Sequence, residues 1–442
     1  MPTQQQNLAG RGMAAGLKVI NWLAGSELVD RVGLREPAQR LIYTGSKRTT
    51  RATTVAGRTF QAATRLGRPA RQASGAAADL FDLTPTDEQH LLTEAIRDFA
   101  LAELRPAAAA ADRACVTPPE LLEQASELGV TMIGVPEELG GAVDGRSAVT
   151  TVLMAEALAY GDAGIAVACL AATGVATAVS LWGDAEQQST YLHEFVGEHP
   201  PAAALALMEP RALFDPFAPA TVARRSDRGF VLRGVKSLVP RAAADELFVV
   251  GATLDDRPAL FVIEAGTDGL STEPEPAMGL RAAATGRVIL EDVEVDPGAL
   301  LGDGDPSVYA EAVHFGRLGW CAIASGTCRA VLDYVKEYVN DRVAFGEPIS
   351  HRQAIAFTVA NIAIELEGLR LATLRAASRV DQGLPFAREV TLARRLATQH
   401  AASIGSDGVQ LLGGHGYTTE HPVERWYRDL RATGLLEGGL VI

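Results

Sequence analysis

A mainly α-helical chain with one small β domain at its centre is the fold class that three textures in the sequence predict. Residues 83–205 carry apolar side chains at helical spacing. Residues 206–302 switch to short β-rich runs between Gly, Pro and Asp turns. From about residue 307 long helical periodicity returns and ends in a Gly-rich stretch. These changes divide the 442 residues into a basic extension (1–78), an N-terminal helical domain (79–205), a middle β domain (206–303) and a C-terminal helical domain (304–442).

The extension holds twelve Lys and Arg against three acids, a net +9, while the rest of the chain carries −23 of the total −14. Within it, residues 16–32 (GLKVINWLAGSELVDRV) have helical spacing, with Trp22 and Leu23 on the apolar side. Such an arm suits docking on a membrane surface or on a partner. It lacks aromatic interleaving and any nucleic-acid motif, so no nucleic acid is expected.

The first domain should start sharply at Thr84-Pro85-Thr86-Asp87, with Thr84 as cap, Pro85 in the first turn and Asp87 on the helix dipole. Breaks are expected at 117–119 and 135–141. The apolar stretch 155–181 is interrupted by Glu156, Asp162 and several glycines, and reads as a buried helix pair, not a membrane span. In the middle domain, strands are expected at 229–235, 246–252, 259–263, 287–290 and 293–295.

Composition is that of an ordinary soluble protein, 48% hydrophobic and 21% charged. Cys115, Cys169, Cys321 and Cys328 include no C-x-x-C, which suits reduced thiols in the cytoplasm. The scattered histidines predict no metal centre. Spacing alone leaves Arg342 free to be a surface ion-pair partner, Gly413 and Gly414 a helix cap and turn, and Glu437 a surface acid beside two glycines.

Five motifs in order change that reading. Asp341-Arg342-Val343-Ala344-Phe345-Gly346-Glu347-Pro348-Ile349, followed by Gln353, resembles the R-x-x-F-G-x-x-I-x-x-x-Q element of the acyl-CoA dehydrogenase family. Gln410-Leu411-Leu412-Gly413-Gly414-His415-Gly416-Tyr417, with Pro422-Val423-Glu424-Arg425 and Arg428-Asp429, resembles its C-terminal signature. Weaker likenesses fall at 136–141, at 182–198, and at Met278-Gly279-Leu280-Arg281 leading into Glu291-Asp292-Val293.

The resemblance runs from about Leu83 onward and implies that family's fold: helical domain, β-barrel-like middle domain, C-terminal four-helix bundle. It implies FAD, an acyl-CoA or acyl-carrier thioester, an electron-transfer flavoprotein as acceptor, and a dimer or tetramer. Arg342, Phe345, Gln353, Gln410, Gly413 and Gly414 would then contact the FAD of a neighbouring subunit. Glu437, in Leu435-Leu436-Glu437-Gly438-Gly439, resembles the base of the family's Y-E-G-T loop. There a carboxylate takes the α-proton, and the thioester carbonyl is polarised by backbone N–H. Gly438 and Arg317 would line the substrate. The family's other base position corresponds to Gly316, which cannot serve.

The β domain departs from the pattern. The family's T-E-P-G-A-G-S-D appears as Met208-Glu209-Pro210-Arg211-Ala212-Leu213-Phe214-Asp215, and its W-I-T as Leu238-Val239-Pro240. Met208 and Pro240 lack the hydroxyls that would bond the flavin, Leu238 replaces its aromatic cover, and Gly439 replaces a Thr. Each lost hydrogen bond costs roughly 0.5–1.5 kcal/mol. Weak FAD binding, or work within a hetero-oligomer of related subunits, is therefore expected. The alternative is a degenerate partner subunit with no chemistry of its own.

Overall fold

The computed structural model describes residues 84–141, 146–197 and 199–442. The basic extension, its expected helix at 16–32 and its docking role lie outside the described residues.

Helix α1 (Asp87–Phe99) is capped at Thr86, not at Thr84. Thr86 Oγ1 accepts from Gln89 N at 3.2 Å while Gln89 Oε1 accepts from Thr86 N at 3.1 Å. This reciprocal Thr-x-x-Gln box needs a Gln three residues on, which Thr86 has and Thr84 lacks. Asp87 sits in the first turn as expected. A π turn, Ala100–Leu104, leads into α2 (Arg105–Ala114), and α3 (Pro119–Glu127) follows the break at 117–119.

The apolar stretch is indeed a helix pair, α4 (Ala148–Gly161) and α5 (Ala163–Trp182). Asp162 divides them: extended in backbone, it caps α5 by accepting from Ile165 N at 3.1 Å and pairs with Arg425 at 3.0 Å. Helix α5 is long and apolar enough to cross a membrane, but 89% of its apolar window is buried among the other helices. Short α6 (Ala185–Tyr191) ends this helical domain.

The β domain holds β1 (Ala203–Ala206), β2 (Val222–Ser226), β3 (Gly229–Val239), β4 (Leu247–Leu254), β5 (Arg257–Glu264), β6 (Leu270–Pro274), β7 (Gly286–Val295) and β8 (Leu300–Leu301). The hydrogen-bonded path is β6-β7-β3-β2-β4-β5-β8, with β1 parallel to β4, and it does not close between β6 and β8. The two runs expected at 287–290 and 293–295 are one strand. β7 carries a bulge opposite 232–234, with Asp292 at φ +55°. Strands β1, β2 and β6 escape the sequence pattern. β1 is four small buried apolar residues without alternation, and β2 and β6 are mostly polar.

Helices α7 (Pro306–Asp341), α8 (Gln353–Asp381), α9 (Ala387–Leu412) and α10 (Val423–Ala432) form the C-terminal domain, with a small hairpin of β9 (Val343–Ala344) and β10 (Glu347–Pro348) between α7 and α8. Val331, Leu366, Ala397, Ile404 and Trp426 meet in its fully buried core. Helix α7 also presses on α4, where a Cβ on Gly326 would stand 2.1 Å from the Glu156 carbonyl oxygen. The 36-residue α7 thus joins both helical domains and carries residues of both regions described next.

Candidate active site

Beyond α10 the chain is pinned by donors from two helices. Buried Arg394 of α9 donates to the carbonyls of Thr433 and Leu436, the latter at 2.6 Å. Trp320 Nε1 of α7 donates to the Gly438 carbonyl at 2.8 Å. Gly438 and Gly439 follow at φ +73° and +76°, a left-handed pair that glycine adopts without a Cβ penalty. The turn lays Glu437 against α7. Arg317 Nε lies 3.1 and 2.9 Å from Glu437 Oε1 and Oε2, and Arg317 Nη2 is 2.9 Å from Oε1. The two side chains are 17% and 11% exposed, and Arg394 Nη2 lies 3.7 Å from Oε1. Burial lowers the Arg394 pKa, and the Glu437 charge opposes that shift.

Arg317, expected to line the substrate, holds the carboxylate with a bidentate, largely desolvated pair. Gly316 is explained as well. A Cβ there would lie 3.0 Å from the Leu440 carbonyl oxygen and 3.4 Å from Gly438 N and Cα, so a carboxylate side chain at 316 would collide with the loop.

Aromatic and polar groups complete the surround. The Phe217 ring lies 5.2 Å from the Arg317 guanidinium and 5.6 Å from the His314 ring. Burial, then the Arg317 charge, lowers the His314 pKa. Burial, then Glu209 and Glu437, pushes the Tyr309 hydroxyl up. Neither His314 Nδ1 nor Tyr309 Oη has a hydrogen-bond partner among the described residues.

On the β-domain side, Met208 and Leu238 are half-buried and engage through their backbones. The Met208 carbonyl accepts from Ser237 N at 2.9 Å, and Leu238 N donates to Glu275 at 2.8 Å. Leu238 holds φ +52°, strained for a branched side chain. Pro240 is buried, with ring atoms 3.3 and 3.4 Å from where a Cβ on Gly439 would stand. Beside Met208, Glu209 clamps the loop 209–221, accepting from Ala220 N, Thr221 N and Thr221 Oγ1 at 2.8 Å each and from Lys236 Nζ at 2.9 Å. Burial would raise the Glu209 pKa, but Lys236 and these N–H groups outweigh it and hold it low. Burial pushes the Lys236 ammonium down to about 8, against the pull of Glu209.

The other predicted residues are exposed: Arg342 at the end of α7, Gln353, Gln410, Gly413 and Gly414. Phe345 is 96% exposed at φ +56°. A Cβ on Gly413 or Gly414 would meet nothing within 4 Å. A cavity of about 370 Å³ adjoins them, lined by Arg342, Tyr334, Tyr338, His415, His421 and two acids. Although the sequence predicts no metal centre, His415, Glu420 and His421 bring ligand atoms within 4.8 Å of one another. The Nδ1 of His421 lies 2.6 Å from Tyr334 Oη.

Arg394, Trp320, Phe217 and His314 are not singled out by the sequence reading. A basic residue inside the apolar stripe of a long helix is the one signal that points to Arg394.

Family descriptions match almost all of this fold: "Acyl-CoA dehydrogenase, N-terminal domain" over residues 86–198, the middle domain over 204–293 and the C-terminal domain over 306–440. The chain is 33% identical over 371 residues to the mouse short-chain specific acyl-CoA dehydrogenase, covering 80% of this chain and 87% of that one. It is 31% identical over 362 residues to a 3-(aryl)acrylate reductase of Clostridium sporogenes, covering 80% and 95%. The solved butyryl-CoA dehydrogenase of Megasphaera elsdenii superposes with a TM-score of 0.74 at 29% identity, over 80% and 95% of the two chains. These matches define an oxidoreductase architecture of two helical domains around a β domain. The chain belongs to the acyl-CoA dehydrogenase family.

Proposed function

We propose that this chain dehydrogenates an acyl thioester between its α- and β-carbons, with Glu437 as the base that takes the α-proton. One observation carries the reading: the Glu437 carboxylate is bound bidentately by Arg317 in a largely buried site, on a turn fixed by Arg394 and Trp320. Oε2 accepts a single bond from Arg317, so a lone pair remains for the incoming proton. Arg317 fixes both carboxylate oxygens, which orients that lone pair. The Glu437 N–H polarises the thioester carbonyl and makes the α-proton acidic. Gly438, at φ +73° and with its Cβ position only 2.8 Å from Leu207 Cβ, holds the turn that presents this N–H.

Bound FAD supplies the acceptor for the β-hydride. Its fit to this chain is uneven. Arg342, Gln353 and Gln410, with the open backbone at Gly413 and Gly414, suit the phosphates and polar groups of an FAD carried by a neighbouring copy or a related subunit. Met208, Leu238 and Pro240 offer the chain's own flavin backbone contacts at most, and Pro240 packs on the base loop. The working enzyme is thus a dimer or tetramer, homo- or hetero-oligomeric, with weak retention of FAD. Its substrate rides on CoA or a carrier protein, and its acceptor is an electron-transfer flavoprotein. The basic segment 1–78 lies outside this assignment.

The test is turnover of a panel of acyl-CoA thioesters with added FAD and an artificial acceptor. Glu437→Gln should cut turnover by about 10²–10⁴-fold. Turnover equal to that of the unaltered chain contradicts the assignment.

A further inference from the structure

After the Gly438–Gly439 turn, residues 440–442 run into the apolar space between α5 and α7. Leu440, Val441 and Ile442 are 1%, 2% and 2% exposed. Three glycines on the facing helices make that path. A Cβ on Gly174 of α5 would stand 2.9 Å from Val441 N. On α7, a Cβ on Gly316 would stand 3.0 Å from the Leu440 carbonyl oxygen. One on Gly319 would stand 3.0 Å from Leu440 Cβ and 3.2 Å from Ile442 Cγ1 and Cδ1. Leu440 and Ile442 join the cluster of Leu170, Trp320 and Ile323, while Val441 joins Val175, Leu207 and Phe315. The guanidinium of Arg146, 4.6 Å from the Phe315 ring, donates to the Ile442 carbonyl.

The glycines alone would mark only a close helix crossing. What gives the channel chemical meaning is its occupant and its mouth. It is filled by the branched apolar side chains of three consecutive residues, at most about 10 Å of chain, and Glu437 stands three residues before the first of them. An apolar chain attached to a carbonyl held at Glu437 would compete for the walls on which Leu440, Val441 and Ile442 pack.

We propose that residues 440–442 are an internal occupant of the acyl channel and restrict this site to short acyl thioesters. The inference rests on the reading of Glu437 as base. Short chains fit beside the turn with the tripeptide in place. Longer chains compete with Leu440, Val441 and Ile442 for the same apolar walls.

The experiment compares the full chain with the variant Leu440→Gly/Val441→Gly/Ile442→Gly, and with Ile442→Ala as a milder change that keeps most of the packing. Binding of butyryl-CoA and octanoyl-CoA is measured by calorimetry with FAD present. Each methylene newly admitted adds about fourfold in affinity. The triple variant should therefore bind octanoyl-CoA at least tenfold tighter while butyryl-CoA changes less than threefold. Ile442→Ala should move the ratio the same way by a smaller factor. Parallel changes for both thioesters, or equal affinity of the unaltered chain for both, overturn the proposal. Uptake of free octanoate, followed by NMR, keeps the two readings apart. A variant that gains octanoate binding while Glu437→Gln leaves turnover intact upholds the channel and refutes the base. Octanoate and octanoyl-CoA unaffected by the variants, with turnover abolished by Glu437→Gln, does the reverse.

Discussion

Arg317 within α7 and Arg342 at its C-cap meet opposite environments. Arg317 is largely buried and clasped by Glu437, in a region where the turn at 437–439 packs on Leu207, Pro240 and Trp320. Arg342 stands in the open, as do Phe345, Gln353, Gln410 and two glycines whose Cβ positions face empty space. One region pairs its charged groups within the chain, and the other presents Arg342 outward. The difference teaches that closure and retention of motif are separate properties. Arg342, Phe345 and Gln353 of the R-x-x-F-G motif are exposed, while Met208, Leu238 and Pro240 pack within the chain.

The same substitution at the two arginines should separate the regions most sharply. Arg317→Met strips a buried carboxylate of its bidentate partner and should cost about 3–5 kcal/mol in denaturant unfolding. Arg342→Met should leave unfolding within about 0.5 kcal/mol yet weaken FAD retention roughly tenfold or more through the loss of a charge-assisted contact. Equal destabilisation by both variants would erase the distinction. Next in size is Arg394→Met, which orphans the Thr433 and Leu436 carbonyls and should lower stability by about 1–3 kcal/mol. Its melting temperature gives the readout. Restoring a hydroxyl in the closed region, Pro240→Thr, should tighten FAD by roughly two- to tenfold, seen as flavin absorbance retained on gel filtration.

The last effect is one of pH. Asp245, between β3 and β4, is closed off without a partner: neither carboxylate oxygen has a hydrogen bond among the described residues, and burial pushes its pKa from 3.8 up to about 8. A raised folded pKa means that the neutral form is favoured on folding. Its contribution is fully present below pH 3.8 and is lost as pH rises to about 8. Asp245→Asn carries no such dependence, so its stability advantage over the unaltered chain should widen between those two pH values. A constant gap in melting temperature across that range would show that Asp245 does not titrate as described.

Much of this was legible in the sequence. Helical spacing located the long helices, and the Asp162 break separated α4 from α5 because an acid in an apolar run must find a partner, here Arg425. Pattern failed where burial is two-sided or absent: β1 does not alternate, and β2 and β6 look like polar loops until the sheet pairs them. At the site, Glu437, Arg317 and Arg342 could be named from motifs. The ion pair between Glu437 and Arg317 spans 120 positions, and local spacing carries no record of such a contact. Arg394 and Trp320 were invisible for the same reason, since their partners are backbone carbonyls that no residue type encodes. Gly316 was read as the loss of a base, and the packing adds that its small size lets the 438–440 segment pass.

Removal of the α-proton can be watched apart from the rest of the reaction. With FAD supplied and no electron acceptor, butyryl-CoA incubated in deuterated water should take up deuterium at its α-carbon, read by mass spectrometry. The unaltered chain should exchange, and Glu437→Gln should lower the rate by about 10²–10⁴-fold. Exchange at equal rates in the two proteins would contradict Glu437 as the base.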